Sequence, residues 1–118
     1  MKLLTKELEK RFAKARGDED TPLEDRIVIA RFFNPTGAGT WYAIEYDPIR
    51  KIFFGFVSIF GDHNDEWGDF SLDELESFRG RFGLGIERDR FFSEKKFSEV
   101  YHANEPDPLA GGNEERVE

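Results

Sequence analysis

The spacing of apolar positions changes along this chain, and each change marks an element. Leu4, Leu8 and Phe12 recur every four residues, which is the repeat of one helix face, and Thr5 stands where a cap is needed. The spacing predicts a helix over 5–16, with Gly17 as its stop. Its apolar stripe is narrow, so weak docking or a contact role is expected. Gly17–Asp25 reads as a charged linker around Pro22. Arg26–Phe33 (RIVIARFF) is apolar on both faces, the pattern of a central strand. After the turn-forming run Asn34–Gly39, Thr40–Tyr46 alternates, with Tyr42, Ile44 and Tyr46 on one face and Trp41, Ala43 and Glu45 on the other. Asp47-Pro48-Ile49-Arg50 suits a type I turn. Lys51–Phe60 then sets Ile52, Phe54 and Phe56 against Phe53, Gly55 and Val57, and Gly55 marks a bulge or a close approach. The two strands form a hairpin.

A polar loop, Gly61–Asp65, leads to a short strand over Glu66–Phe70. Ser71-Leu72-Asp73-Glu74 is a capping box, and Phe70 and Leu75 are placed to staple it. The helix it opens (71–78) buries Leu72, Leu75 and Phe78 and stops at Gly80. Phe82–Ile86 alternates apolar residues with glycine, which suggests a strand close under another element, followed by a mixed-charge turn at Glu87–Arg90. Ser93 can cap a last helix in which Phe97, Val100 and Tyr101 share a face. From His102 onward, Pro, Gly and acids without periodicity predict a disordered acidic tail. The sum is a single α+β domain over 1–101, with a tail over 102–118. Its architecture is a curved antiparallel sheet of about four or five strands, packed with the 71–78 helix and the 5–16 helix.

Composition sharpens this reading. A chain of 118 residues with 13 Phe can bury a core dominated by rings. With no Cys, disulfides, thiolate catalysis and Cys-based zinc sites are excluded. No leader follows Met1 and no run approaches about 18 apolar residues, so a cytoplasmic, non-membrane protein is expected. The net charge of -8 is uneven: Met1–Arg16 carries six basic and two acidic side chains, whereas Asp62–Glu76 holds seven carboxylates without one Lys or Arg. Such acidity argues against direct nucleic-acid binding, which relies on Lys and Arg neutralising phosphates, and favours a basic protein partner.

Four groupings invite chemistry. Asp62, His63, Asp65 and Glu66 place oxygen and imidazole donors in one loop, as a divalent metal or a general base requires. The spacing is not that of an EF-hand, and a solvated turn is the commoner use of such residues. Arg79, Arg81, Arg88 and Arg90 flank Phe82–Ile86 and can converge on an anion; local pairing with Glu87, Asp89 and Glu94 is the plainer outcome. Glu45 lies among rings, where a carboxyl becomes a stronger proton holder unless an Arg pairs with it. Trp41, Tyr42 and Trp67 can stack a base or sugar, or simply fill the core. Neither GxSxG nor HExxH occurs, and no cofactor is expected.

The phrases FFNPTGAGTWYAIEYDP (Phe32–Pro48), FFGFVSIFG (Phe53–Gly61), the Gly68–Ser77 segment with SLDELES, and RGRFGLGIERDRFF (Arg79–Phe92), with LLTKE at Leu3–Glu7, are similar to a bacterial domain-of-unknown-function family of about this length. The resemblance covers roughly residues 3 to 100. It implies a setting on plasmids and integrative elements, near antirestriction and DNA-processing genes, and carries no catalytic residue. GDHNDEW departs from the family pattern before Gly68.

Together these readings lead to a non-enzymatic interaction module, an accessory of mobile DNA, that presents Asp62, Asp65, Glu66, Asp69 and Asp73 to a basic protein; its most specific version is a DNA mimic. The alternatives are a metal-dependent hydrolase or nuclease at Asp62, His63, Asp65 and Glu66, and a small-molecule pocket lined by Trp41, Tyr42 and Phe82.

Overall fold

The computed structural model describes residues 2–15, 19–59 and 65–101. Thr5 opens the first helix, α1 (Lys6–Lys14), because its Oγ1 accepts a hydrogen bond from Leu8 N at 3.1 Å. The narrow stripe of α1 nevertheless docks firmly. Phe12 is 1% exposed and touches the rings of Tyr46 and Phe53, and Leu3 and Leu4 just before the helix are buried too. The expected weak docking is therefore corrected: one large ring and two preceding leucines supply the area that the stripe itself lacks. A short 3₁₀ turn at Leu23–Asp25 leads into the sheet.

The anticipated strand over 26–33 is broken at Ile29 into β1 (Ile27–Val28) and β2 (Ala30–Phe33). Each half pairs separately. β2 lies between β3 (Thr40–Asp47) and β6 (Glu87–Arg88), while β1 pairs with β7 (Lys95–Lys96) in a small second sheet. β3 pairs with β4 (Ile52–Ser58), and β4 with β5 (Glu66–Ser71), giving the antiparallel order β5-β4-β3-β2-β6. The α+β architecture and the five-stranded antiparallel sheet agree with the sequence reading.

The β3–β4 hairpin holds two refinements. Ala43 pairs with Gly55 and Glu45 with Phe54, so Ile44 is an extra residue on β3. The bulge moves Tyr46 to the face of Trp41 and Ala43, whereas simple alternation put it with Tyr42 and Ile44. The hairpin turn is also one residue longer than a type I turn. Lys51 N donates to Asp47 O at 2.8 Å, Asp47 Oδ1 accepts from Ile49 N and Arg50 N, and Lys51 closes the loop in the left-handed region (φ 57°).

Both faces of the sheet are covered. One carries α1, α2 (Leu72–Ser77) and the core of Phe32, Ala43, Tyr46, Phe53 and Phe70. The other carries Val28, Tyr42, Ile44 and Phe56 under the last helix, α3 (Phe97–Val100). Ser71 Oγ caps α2 by accepting from Glu74 N at 3.1 Å, as its motif predicts. Phe78, expected inside, is 40% exposed, because the chain is already extended at this residue, where the helix ends. Phe82–Ile86 is not a strand: Arg81–Gly83 forms a 3₁₀ turn with Phe82 and Gly83 both at positive φ, and the fifth strand is the supposed turn at Glu87–Arg88. α3 is capped at Lys96 rather than Ser93, with Lys96 N bonded to Glu99 Oε1 at 3.0 Å. The predicted tail over 102–118 lies outside the described residues. Among the described residues, no helix is long and apolar enough to cross a membrane.

Candidate functional site

β5 is an edge strand: β4 pairs one side of it, and no described strand pairs the other. Glu66 stands opposite Val57 and Asp69 opposite Phe54, so their side chains leave opposite faces of the strand and border the same open edge. α2 follows directly, with Asp73 and Glu74 in its first turn, where the helix dipole favours negative charge. Glu66, Asp69, Asp73 and Glu74 are exposed, and among the described residues none forms an ion pair. The strand and helix thus form a continuous acidic margin with no Lys or Arg in residues 65–78.

Asp65 is half-buried and bonded within the fold instead. Its Oδ2 accepts from Ser58 Oγ (2.9 Å) and from Tyr101 Oη (2.7 Å), and its Oδ1 accepts from Ile59 N (3.0 Å). This carboxylate joins the end of β4, the start of β5 and the residue after α3. Sequence reading missed the role because all three partners are remote or ordinary in sequence. Asp62 and His63 lie outside the described residues. Among the described residues, no three His, Cys, Asp or Glu side chains gather as a metal needs.

Trp41, Tyr42 and Phe82 do not meet in a pocket. Neighbours on a strand point to opposite faces, so Trp41 packs on the core under α1 while Tyr42, 1% exposed, fills the core under α3. Phe82 is 86% exposed on its turn, beneath the Arg81 guanidinium. Trp67 packs against Phe97 with ring centroids 4.6 Å apart, so the aromatic residues of this face build core.

The carboxylate among rings, Glu45, is paired. Arg26 Nη2, on a buried side chain, donates to its Oε2 at 2.7 Å. The bulge at Ile44 turns Glu45 toward the Arg26 side. Asp89 and Glu94, expected to neutralise their sequence neighbours, pair with distant arginines: Arg31 with Asp89 at 3.0 Å, mostly buried, and Arg11 with Glu94. Arg79 donates to the carbonyls of Glu76 and Phe78, and Arg88 to that of Lys2. The four arginines do not converge on one point. The fold also alters the titration of Tyr46: burial pushes its phenol up, reinforced by Glu9, Asp73, Glu76 and Asp47.

Comparison with curated proteins and with solved structures returns no match. One family model matches residues 3–106, from just before the first helix to just past the last: the chain belongs to DUF2958, a family of proteins of unknown function.

Proposed function

We propose that the protein is a non-enzymatic interaction module whose acidic margin, β5 and the start of α2, receives a basic protein partner. The observation that carries this reading is the run of exposed carboxylates, Glu66, Asp69, Asp73 and Glu74, without an ion pair among the described residues. The α2 dipole favours Asp73 and Glu74 but not Glu66 and Asp69 on the strand edge, and the four carboxylates repel one another; a complementary cationic surface relieves that repulsion and accelerates encounter. An accessory role in mobile DNA fits the resemblance, and a mimic of the DNA backbone is the most specific form of the proposal. Asp65 supports the scaffold and is left out of the face. In the alternative metal reading the ligands are Asp62, His63, Asp65 and Glu66; Asp65 there already uses both carboxylate oxygens as acceptors.

The test is charge reversal at Glu66→Lys, Asp69→Lys and Asp73→Lys together, all at exposed positions. Basic proteins retained from a bacterial lysate by the immobilised wild type, and released by raised salt, should not be retained by the triple variant, whose circular dichroism should be unchanged. A mimic further requires that a recovered partner lose its DNA binding when wild type is added. Equal retention of the same proteins by both forms would falsify the proposal.

A further inference from the structure

At the other margin of the main sheet, a cleft of about 290 Å³ opens between the first turn of α1 and the turn after β6. Its walls bring together Arg11, Arg88 and Arg90, with Thr5 at the α1 cap and Phe92 as an aromatic side. We infer that this cleft is an oxyanion site that takes a phosphate group. The three arginines arrive from two remote parts of the chain, so the gathering is a product of the fold, and two of them are already oriented by other contacts. Arg11 is held by Glu94, which also offsets its charge, and Arg88 by the carbonyl of Lys2. Arg90 is exposed on its turn and forms no ion pair with a described residue. A guanidinium fork matches a phosphate in two parallel hydrogen bonds, and the positive end of the nine-residue α1 adds to the field.

Two carboxylates also line the cleft, and they play different parts. Asp89 is neutralised by Arg31 through Oδ2, while its Oδ1 accepts from Phe91 N at 3.0 Å and so shapes the turn that presents Arg90. Glu7 has no such partner among the described residues and opposes an anion. Next to this cleft, Phe91 is 93% exposed, a free ring beside the site. A phosphate carried on a nucleoside can place its base on Phe91, whereas the Phe92 ring already lies under the Arg31 guanidinium and against the core, and free phosphate has no base to place. The site is independent of the acidic margin and neither needs nor excludes it.

The experiment is an amide NMR titration of the full chain with three probes: inorganic phosphate, adenosine monophosphate and a single-stranded oligothymidylate. Saturable shifts are expected at Thr5–Leu8 and at Arg88–Phe92 with at least one probe. The probe with the tightest binding identifies whether the phosphate is free, on a mononucleotide or in a nucleic-acid backbone. Arg90→Ala should weaken that binding about tenfold, the effect of losing one charge-assisted contact, with the free protein's spectrum otherwise unchanged. Glu7→Gln should strengthen it, an opposite sign that a general loss of structure cannot give. Non-saturating shifts with all three probes, or equal affinity in wild type and Arg90→Ala, overturn the site.

Discussion

At the scale of single residues, the fold decides chemistry by burial and by partners that sequence neighbours do not reveal. Asp65 and Glu66 are adjacent carboxylates, yet one is half-buried and accepts three hydrogen bonds from the fold while the other faces solvent. Tyr46 shows the same control in its titration. The bulge at Ile44 turns its ring inward, where burial and the nearby carboxylates Glu9, Asp73, Glu76 and Asp47 disfavour the phenolate. Because the phenol is raised in the folded state, it binds its proton more tightly folded than unfolded. Its contribution is therefore intact below the ordinary value of 10.0 and is lost as pH rises through the higher folded value. Urea unfolding of wild type and Tyr46→Phe at about pH 9 and about pH 11 tests this. The variant, which cannot ionise there, should lose less stability than wild type between the two conditions. An identical alkaline loss in both proteins would remove Tyr46 as its source.

At the scale of elements, the sheet turns on how closely β3 and β4 approach. A Cβ on Gly55 would lie 1.9 Å from Tyr42 O, a distance no side chain can hold, so the glycine admits the β3 backbone beside the bulge. Gly68, on the neighbouring strand, has nothing within 4 Å of the same position and no positive φ. Gly55→Ala should therefore cost roughly 3 kcal/mol or more, since the strands must part, while Gly68→Ala should stay within about 0.5 kcal/mol of wild type. Chemical denaturation of the two variants checks the contrast, and equal effects would mean that the close approach at Gly55 does not matter. This glycine was legible in the sequence, as were the hairpin, the α1 cap and the Ser71 cap, because each rests on residues close together along the chain. The β6 strand was not legible. Two residues, Glu87 and Arg88, form it by pairing with Phe32 and Phe33 some fifty positions earlier, and two residues are too few to show a period. The alternation in Phe82–Ile86 misled for the converse reason: Phe82 takes a positive φ on an exposed turn, which strand periodicity does not anticipate. At the sites, the acidic margin was readable as a run, but Asp65's withdrawal from it and the meeting of Arg11 with Arg88 and Arg90 depend on remote contacts.

At the scale of the whole molecule, the two ends of the domain cover opposite faces of one sheet. Residues before and within α1 close the face built on Phe32 and Phe53, and the segment ending in α3 closes the face built on Tyr42 and Phe56. The second cover is small, one helix of four residues, so its hold depends on a few large contacts. Phe97 carries most of them: its ring lies 4.6 Å from Trp67, 4.9 Å from Phe56, and 5.8 Å edge-on from Tyr42. Its backbone N–H also bonds to Arg26 O at 2.9 Å, and Tyr101 ties the end of the segment to Asp65. Removing the ring leaves a void that four residues of helix and its hydrogen bonds cannot collapse to fill without moving β7. Phe97→Ala should therefore cost about 3–5 kcal/mol, the range for a buried aromatic cut to alanine. Trp67 reports the same event locally. In a Trp41→Phe background, where Trp67 is the remaining indole, its emission should shift to the red as water reaches the exposed ring. A loss below about 1 kcal/mol with unchanged emission would show that α3 does not seal this face, and that the sheet holds Tyr42 and Phe56 by its own pairing.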